Sequence, residues 1–393
     1  MNLKDYKQEH LLKYYDSLND KDKNKLNKQL ESIDFDLMNR IINTYINKNV
    51  DMSKISSLKI IRRKDATKED SLLGEQVIKN NQYAIVLMAG GFGSRLGLNI
   101  PKGCLELNIN NKSISLFELY INQIKEANKK YNSTIPLLIM TSTANTNETT
   151  KYFEEHNYFD YKENIKIFVQ GDLPIVDENG KMLLKSKSEI LVGPNGNGDV
   201  FNALKRNKLI DYMNNKGIKY VTFTSIDNPL SNLVDVDFIG STINNNYSLS
   251  SKTISKKDED DTSYIFCKYN NKPYMLSSNN ITKELTNTKD KDGNYIYREK
   301  NIAYHLISID NIETFANIDL PYHRAYRNNK YLDEDGNLIT SNEANTYKYE
   351  KFIFDAFYHI DDMLLFSIDE DEFSPIKKKE DIEKVELILN EKH

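Results

Sequence analysis

Residues 83–103 read YAIVLMAGGFGSRLGLNIPKG. The first six are apolar and rich in branched side chains, as in a strand buried on both faces. Three of the next five residues are glycine: Gly90, Gly91 and Gly93. A glycine-rich strand exit leaves backbone N–H groups uncovered, and such groups cradle anions. Arg95 adds a planar, multidentate donor, and Lys102 adds a point charge behind the stiff Pro101. The dinucleotide fingerprint G-x-G-x-x-G fails, because its third glycine falls on Leu96. The Walker pattern fails as well, because Gly97 is followed by Leu98. A tight turn with solvated cations is the bland alternative. Arg and Pro-Lys at these offsets favour a phosphate loop.

The surrounding chain repeats the theme. IPLLIMT (135–141), IKIFVQ (165–170) and YVTFTS (220–225) read as further buried strands. Between them, 115–131, 146–156 and 199–217 have helical patterning. Strand alternating with helix implies an α/β fold with a mixed, mostly parallel sheet covered on both faces. Ligands of such sheets bind beyond the carboxyl ends of the strands. The N-terminal 47 residues show apolar positions at three-to-four spacing, and 51–74 reads as a charged connector. We therefore expect an N-terminal helical subdomain over 1–78 and a catalytic domain over 79–393. Further on, 263–269 and 272–276 form a hairpin around Asn270-Asn271. Residues 283–297 read as loop, and 349–366 as a helix running into a strand.

Two more clusters carry chemistry. GPNGNGDVF (193–201) permits close backbone approach, and Asn197 offers an amide donor and acceptor for a base or sugar edge. Its bland alternative is a capped loop. SIDNPL (225–230) puts Asp227 at a strand's carboxyl end, where a carboxylate can hold Mg²⁺ beside phosphates. There the alternative is an Asx turn before Pro229.

Composition excludes several classes. The 393 residues carry 53 Lys plus Arg against 58 Asp plus Glu, a net charge of −5, so a dedicated nucleic-acid binder is not expected. Cys104 and Cys267 are too few and too far apart for a disulfide framework or a zinc spacing. No apolar run approaches the roughly 20 residues that span a bilayer, and the polar start lacks a signal-peptide stretch. A cytoplasmic protein with no membrane partner is expected. The sequence sets no oligomeric state, with a monomer favoured.

Taken in order, LMAGGFGSRLGLNIPKG, PNGNGD and IDN resemble the UDP-sugar pyrophosphorylase family, the UDP-N-acetylhexosamine and UDP-glucose pyrophosphorylases with their short bacterial uridylyltransferase relatives. Ser94 differs conservatively from that family's usual Thr. MTS (140–142), VQGDLPIVDENGK (169–181), NIAYH (301–305), LPYHRAYR (320–327), KYEKFIFD (348–355) and DEFSPIK (371–377) extend the likeness. The resemblance implies a Rossmann-like nucleotidyltransferase core and the reaction UTP plus sugar 1-phosphate to UDP-sugar plus pyrophosphate, with Mg²⁺. It implies that the backbone of Gly90 and Gly91 touches the uridine, that Arg95, Lys102 and Lys348 hold phosphates, and that Gln170 and Gly196 read the uracil. It further implies that Asn197 and Asn301 contact the sugar and that Asp227 binds the metal or nucleotide. His305 and His323 are expected to pack or hydrogen-bond.

N-acetylglucosamine 1-phosphate is the expected co-substrate, with glucose 1-phosphate or another hexose 1-phosphate as the alternative. On the sugar side, Ser277 stands where N-acetylglucosamine relatives carry a sugar-binding Glu, with Asp261 as a neighbour that could substitute. Lys300 precedes Asn301 where Gly is usual, and Arg327 replaces a Lys. A nucleotide-sugar-binding protein with little turnover is the alternative from another class. Retention of Arg95, Lys102, Asp227 and Lys348 favours the enzyme.

Overall fold

The computed structural model describes residues 2–43, 50–93, 96–97, 99–256, 263–277, 280–333 and 335–392. The chain divides into two compact units. The larger holds Asn49–Val169, Val200–Asp319 and Phe354–His393, and the smaller Met1–Lys48, Gln170–Asp199 and Leu320–Ile353.

In the larger unit eight strands form the main path of an 11-stranded sheet: β1 (Lys59–Arg62), β2 (Tyr83–Met88), β3 (Leu137–Thr141), β4 (Ile165–Val169), β5 (Tyr220–Ser225), β6 (Leu249–Ser255), β7 (Glu299–Ser308) and β8 (Leu364–Ser367). Their order is β1-β8-β6-β7-β5-β2-β3-β4. Strands β5, β2, β3 and β4 run parallel, as do β6, β8 and β1, and β7 is antiparallel to both its neighbours. The sheet is therefore mixed and mostly parallel, as the alternating pattern predicts. Every residue of β2 and β3 is buried, which is why these strands read as unbroken apolar runs. Register aligns the strand ends, with Met88 opposite both Ser225 and Met140. The chain thus leaves β2, β3 and β5 at one edge, side by side.

Among the described residues, eight helices of seven residues or more belong to this unit: α1 (Lys68–Lys79), α2 (Leu116–Tyr131), α3 (Thr146–Glu155), α4 (Val200–Arg206), α5 (Leu209–Asn215), α6 (Val236–Asn244), α7 (Ile309–Phe315) and α8 (Glu380–Lys392). Their starts follow local chemistry. Thr67 and Asp70 form a capping box at α1, while Ser115 caps α2 and Asp235 caps α6. Helix α2 stops at Asn132, which takes the left-handed conformation (φ 50°). Helices α1 and α6 touch backbone to backbone, since a methyl group on Gly74 would lie 1.9 Å from the Val236 carbonyl oxygen. The core gathers Ile85, Leu87, Ile121, Ile139, Phe238 and Phe366, among others.

The smaller unit has its own core. Leu11, Leu26, Phe35 and Met38 of the N-terminal stretch pack with Leu173, Val176 and Leu184 and with Tyr349. The first stretch holds helices Asp20–Ser32 and Phe35–Asn43, and ahead of them Gln8 joins it to the second stretch. Its side chain donates to the Gly180 carbonyl (3.0 Å) and accepts from the Met182 N–H (2.9 Å).

Four expectations need correction. The connector 51–74 contains β1, a short strand flanked by charge that closes a sheet edge, the usual dress of an edge strand. The helix expected over 199–217 is two helices, broken where Lys208 turns left-handed (φ 58°). Residues 349–366 begin in a strand (Thr346–Glu350), pass through a 3₁₀-helical turn (Ile353–His359) and end in β8. Its aromatic three-to-four spacing mimics an α-helix. The loop 283–297 opens with one helical turn, Lys283–Thr286, capped by Thr282.

Candidate functional site

The glycine-rich stretch leaves the edge of the larger unit's sheet at Ala89, whose N–H donates to the Met140 carbonyl (2.8 Å). Its carbonyls are held from behind. Ser142 Oγ donates to the Gly90 oxygen (2.7 Å), and Asn145 Nδ2 donates to the oxygens of Ala89 (2.9 Å) and Gly91 (3.3 Å). Two further bonds, Lys102 N–H to Gly91 (3.1 Å) and Gly93 N–H to Ile100 (3.1 Å), tie the returning strand to the outgoing one. Gly91 is exposed, and a methyl group on it would meet no atom within 4 Å. At Gly103 the opposite holds, because a methyl group would lie 2.1 Å from the Phe117 ring. Arg95 and Ser94 lie outside the described residues.

Lys102 is buried, with 9% of its surface exposed. Its Nζ donates to Asp227 Oδ1 (2.5 Å) and to the Ile376 carbonyl (2.5 Å). The structure thus brings together two residues that the sequence separates by 125 positions. The turn after β5 is secured by other groups. Ser225 Oγ accepts the Asp227 N–H (3.2 Å), Asn228 Nδ2 donates to Ser231 Oγ (2.9 Å), and Tyr120 donates to the Asn228 carbonyl (2.6 Å). The Asp227 side chain stays 41% exposed. Among the described residues no three His, Cys, Asp or Glu side chains gather as a metal cage. Mg²⁺ needs no such cage, since it keeps several waters and takes one or two carboxylates plus substrate phosphates. A half-exposed aspartate at a strand exit fits that requirement.

Asn301 lies on β7. Its N–H donates to the Tyr264 carbonyl (3.0 Å), and its Oδ1 accepts the Ala303 N–H (2.8 Å). Ala303 is held in the left-handed region (φ 57°) where the β6–β7 register slips. With its oxygen engaged, Asn301 has its NH₂ group left to offer a ligand.

In the smaller unit three stretches are stitched together. Asn195 N–H donates to the Gly171 carbonyl (2.9 Å), Lys351 N–H to the Asn195 carbonyl (2.8 Å) and Gly198 N–H to the Lys351 carbonyl (3.0 Å). Asp199 Oδ2 accepts the Gly171 N–H (2.7 Å), which fixes the backbone beside the buried Gln170. Gly196 has φ +97°, and a methyl group there would lie 2.3 Å from the Lys351 oxygen. Only glycine fits that position without displacing backbone. Asn197, expected to offer both donor and acceptor, spends its Oδ1 on the Ile353 N–H (3.1 Å). Lys348 reaches Glu350 Oε1 (2.8 Å), with its stem against Gly193. Arg327 lies 3.5 Å from the same Glu350.

Several contributors receive no role of their own from the sequence: Ser142, Asp199, Glu350 and the Ile376 carbonyl, which lie inside the motifs quoted above, and Asn145, which lies outside them. Ser-x-x-Asn at a strand exit is the one local hint among them. Of the histidines, His305 is wholly buried in β7, 2.7 Å from Ser251 Oγ, and burial pulls its pKa down to about 3. His323 packs on the Phe352 ring (4.7 Å). Both cysteines are free and buried, which pushes their thiols up to about 12. Ser277 Oγ accepts from Asn280 Nδ2 (3.2 Å), and its potential helper Asp261 lies outside the described residues. Among the described residues no helix is long and apolar enough to cross a membrane.

Against known proteins, the family model described as UTP–glucose-1-phosphate uridylyltransferase matches residues 34–392. The chain is 35% identical over 317 residues to the UDP-N-acetylglucosamine pyrophosphorylase of Saccharomyces cerevisiae, covering 78% of this chain and 66% of that protein. It is 30% identical over 315 residues to the mouse UDP-N-acetylhexosamine pyrophosphorylase-like protein 1, covering 77% of this chain and 62% of that one. The matched stretch thus spans just under two thirds of each relative's length. Among solved structures, the Trypanosoma brucei uridine diphosphate N-acetylglucosamine pyrophosphorylase superposes with a TM-score of 0.81 at 24% identity, over 98% of this chain and 82% of that one.

Proposed function

The chain belongs to the UTP–glucose-1-phosphate uridylyltransferase family, and on that premise we propose that it transfers uridylyl from UTP to a sugar 1-phosphate, releasing pyrophosphate. The reading rests on one observation. A buried lysine, Lys102, is fixed between Asp227 and the Ile376 carbonyl at the carboxyl edge of a parallel sheet. An exposed glycine backbone sits beside it at Gly91.

In this reaction an oxygen of the sugar phosphate attacks the α-phosphorus of UTP. A new P–O bond forms, the α–β bridging P–O bond breaks, and pyrophosphate leaves with its electron pair. The nucleophile is already an anion, so no side chain has to remove a proton. The work is positioning and charge stabilisation. Lys102, Arg95 and Lys348 neutralise phosphate charge. Asp227 would hold Mg²⁺, which would supply further charge neutralisation. The backbone of Gly90 and Gly91 lies against the uridine, and Gln170 and Gly196 read the uracil. Asn197 and Asn301 each present an NH₂ group to sugar oxygens. All these groups fall in residues 79–393, the stretch proposed as the catalytic domain.

N-acetylglucosamine 1-phosphate is the proposed sugar, supported by the names of the relatives at 30% identity and above. We place the enzyme in the cytoplasm as a monomer, acting on UTP and a sugar phosphate, with no nucleic-acid or membrane partner. Pyrophosphate release with UTP, Mg²⁺ and a panel of sugar 1-phosphates tests the reading. The highest kcat/KM is expected with N-acetylglucosamine 1-phosphate. A higher value with glucose 1-phosphate moves the specificity, and no release with any member removes the activity.

A further inference from the structure

Residues 372–376 (EFSPI) form a strap beside the turn that carries Asp227, all within the larger unit. At one end Ile376 N–H donates to the Asp227 carbonyl (2.8 Å), while the Ile376 carbonyl accepts Lys102 Nζ (2.5 Å). In the middle the Asn228 side chain clasps the strap twice, accepting the Ser374 N–H (2.9 Å) and donating to the Glu372 carbonyl (2.9 Å). At the other end the Glu372 carboxylate accepts from an NH₂ group of Arg63 (2.7 Å) and forms an ion pair with its guanidinium. Arg63 also holds Asp235 (2.5 Å), and Asp235 holds the almost wholly buried Lys252 (2.6 Å). Lys252 lies 3.9 Å from Glu372 and over the Tyr304 ring (4.5 Å).

Two cations and two carboxylates in a protected place are a poor way to gain stability, because desolvation cancels much of their attraction. What such a cluster does well is fix positions. A lysine ammonium has three N–H donors. Asp227 and the Ile376 carbonyl take two, and tetrahedral geometry then sets the direction of the third. The strap supplies one of those two acceptors from its backbone. The anchor that holds the strap in place is the Glu372–Arg63 pair.

We propose that Glu372, held by Arg63, is a positioning residue for the phosphate chemistry: it acts through the strap to aim Lys102. The inference rests on the phosphate role given to Lys102 above. A double-mutant cycle on the full chain separates the two ideas. Glu372→Gln, folded by circular dichroism and thermal melting, is expected to lose about 10- to 50-fold in kcat/KM for UTP. Lys102→Ala should lose more, and the double variant no more than Lys102→Ala alone, since an anchor has nothing to aim once its target is gone. Affinity for uridine, which lacks phosphates, should stay within twofold of wild type in Glu372→Gln, an outcome that general loosening of the fold would not give. If Glu372→Gln does not fold, Glu372→Asp is read instead, with the same expected loss and the same cycle. A folded variant at residue 372 with wild-type kcat/KM overturns the proposal, and so do losses that multiply in the double variant. Lys102→Ala with full activity overturns the phosphate-site reading itself.

Discussion

A single methyl group distinguishes a loop that binds phosphates from a loop that merely turns. At Gly91 the fold is indifferent to it. The residue is exposed, its φ lies outside the left-handed region, and an added Cβ meets nothing within 4 Å. Gly91→Ala should therefore leave stability unchanged or raise it by about 0.4–1 kcal/mol, because alanine reduces the freedom of the unfolded chain. A nucleotide lying against that backbone would meet the methyl group directly. Overpacking at a close contact costs about 1–3 kcal/mol, or roughly five- to 150-fold in kcat/KM. Two measurements on one sample decide the matter: the melting midpoint by calorimetry, and the rate of pyrophosphate release at limiting UTP. Calorimetric titration of UTP then separates lost binding from lost turnover. A variant that melts like wild type and turns over like wild type would show that no ligand approaches the Gly91 backbone. The reading of Gly91 as a nucleotide contact would fail with no recourse to misfolding.

Gly196→Ala should do the reverse and harm the fold. It combines a left-handed φ with a Cβ 2.3 Å from backbone oxygen, so a loss of about 3–5 kcal/mol is expected by chemical denaturation; a loss below about 1 kcal/mol would show that the 195–198 turn can relax. Asp227→Asn should keep its stability within about 1 kcal/mol of wild type, as for a partly exposed pair. Activity should fall at least tenfold and the half-saturating Mg²⁺ concentration should rise; an unchanged Mg²⁺ titration returns Asp227 to a turn-forming role. His305 makes stability depend on pH. Its folded pKa, about 3, lies below the ordinary 6.5, so as pH falls below about 6.5 the unfolded chain takes up the proton first and stability is lost, by about 2 kcal/mol at pH 5. His305→Gln should remove that share of the slope between pH 7.5 and pH 5 in denaturant titrations, and equal slopes in the two proteins would refute the assignment.

What the sequence disclosed and what it withheld have physical causes. Strands β2 and β3 were legible because they are buried on both faces, which leaves a nearly unbroken apolar run, and β5 because its residues are β-branched or aromatic up to Ser225. The hairpin around Asn270-Asn271 was legible because both asparagines take left-handed φ (50° and 61°), a conformation they tolerate well. Lys102 and Asp227 were each legible as chemistry, but their pairing was not, since it depends on register between parallel strands. The Ile376 carbonyl was invisible in principle, because a backbone acceptor has no residue type. Arg63 read as one charge in a mixed connector. Its partners Asp235 and Glu372, with the Lys252 that Asp235 also holds, are scattered over more than a hundred positions, and only the folded sheet gathers them. Strand β1 was missed because an edge strand is short and flanked by charge.

The smaller unit is made of three stretches of chain, and on the ribosome they arrive far apart in time. Its first 48 residues are made early, with Leu11, Leu26 and Phe35 already awaiting cover. Tyr349 of the third stretch comes some 300 residues later, about 15–60 s at ordinary rates of synthesis. Over that interval an apolar helical surface has only part of its final packing, and the nascent chain is most open to mispairing or capture by a chaperone. The stitching of Asn195 and Gly198 to Lys351 closes in the same last step. A polypeptide halted before residue 353 can have a largely built sheet and still lack the finished turn around Gly196.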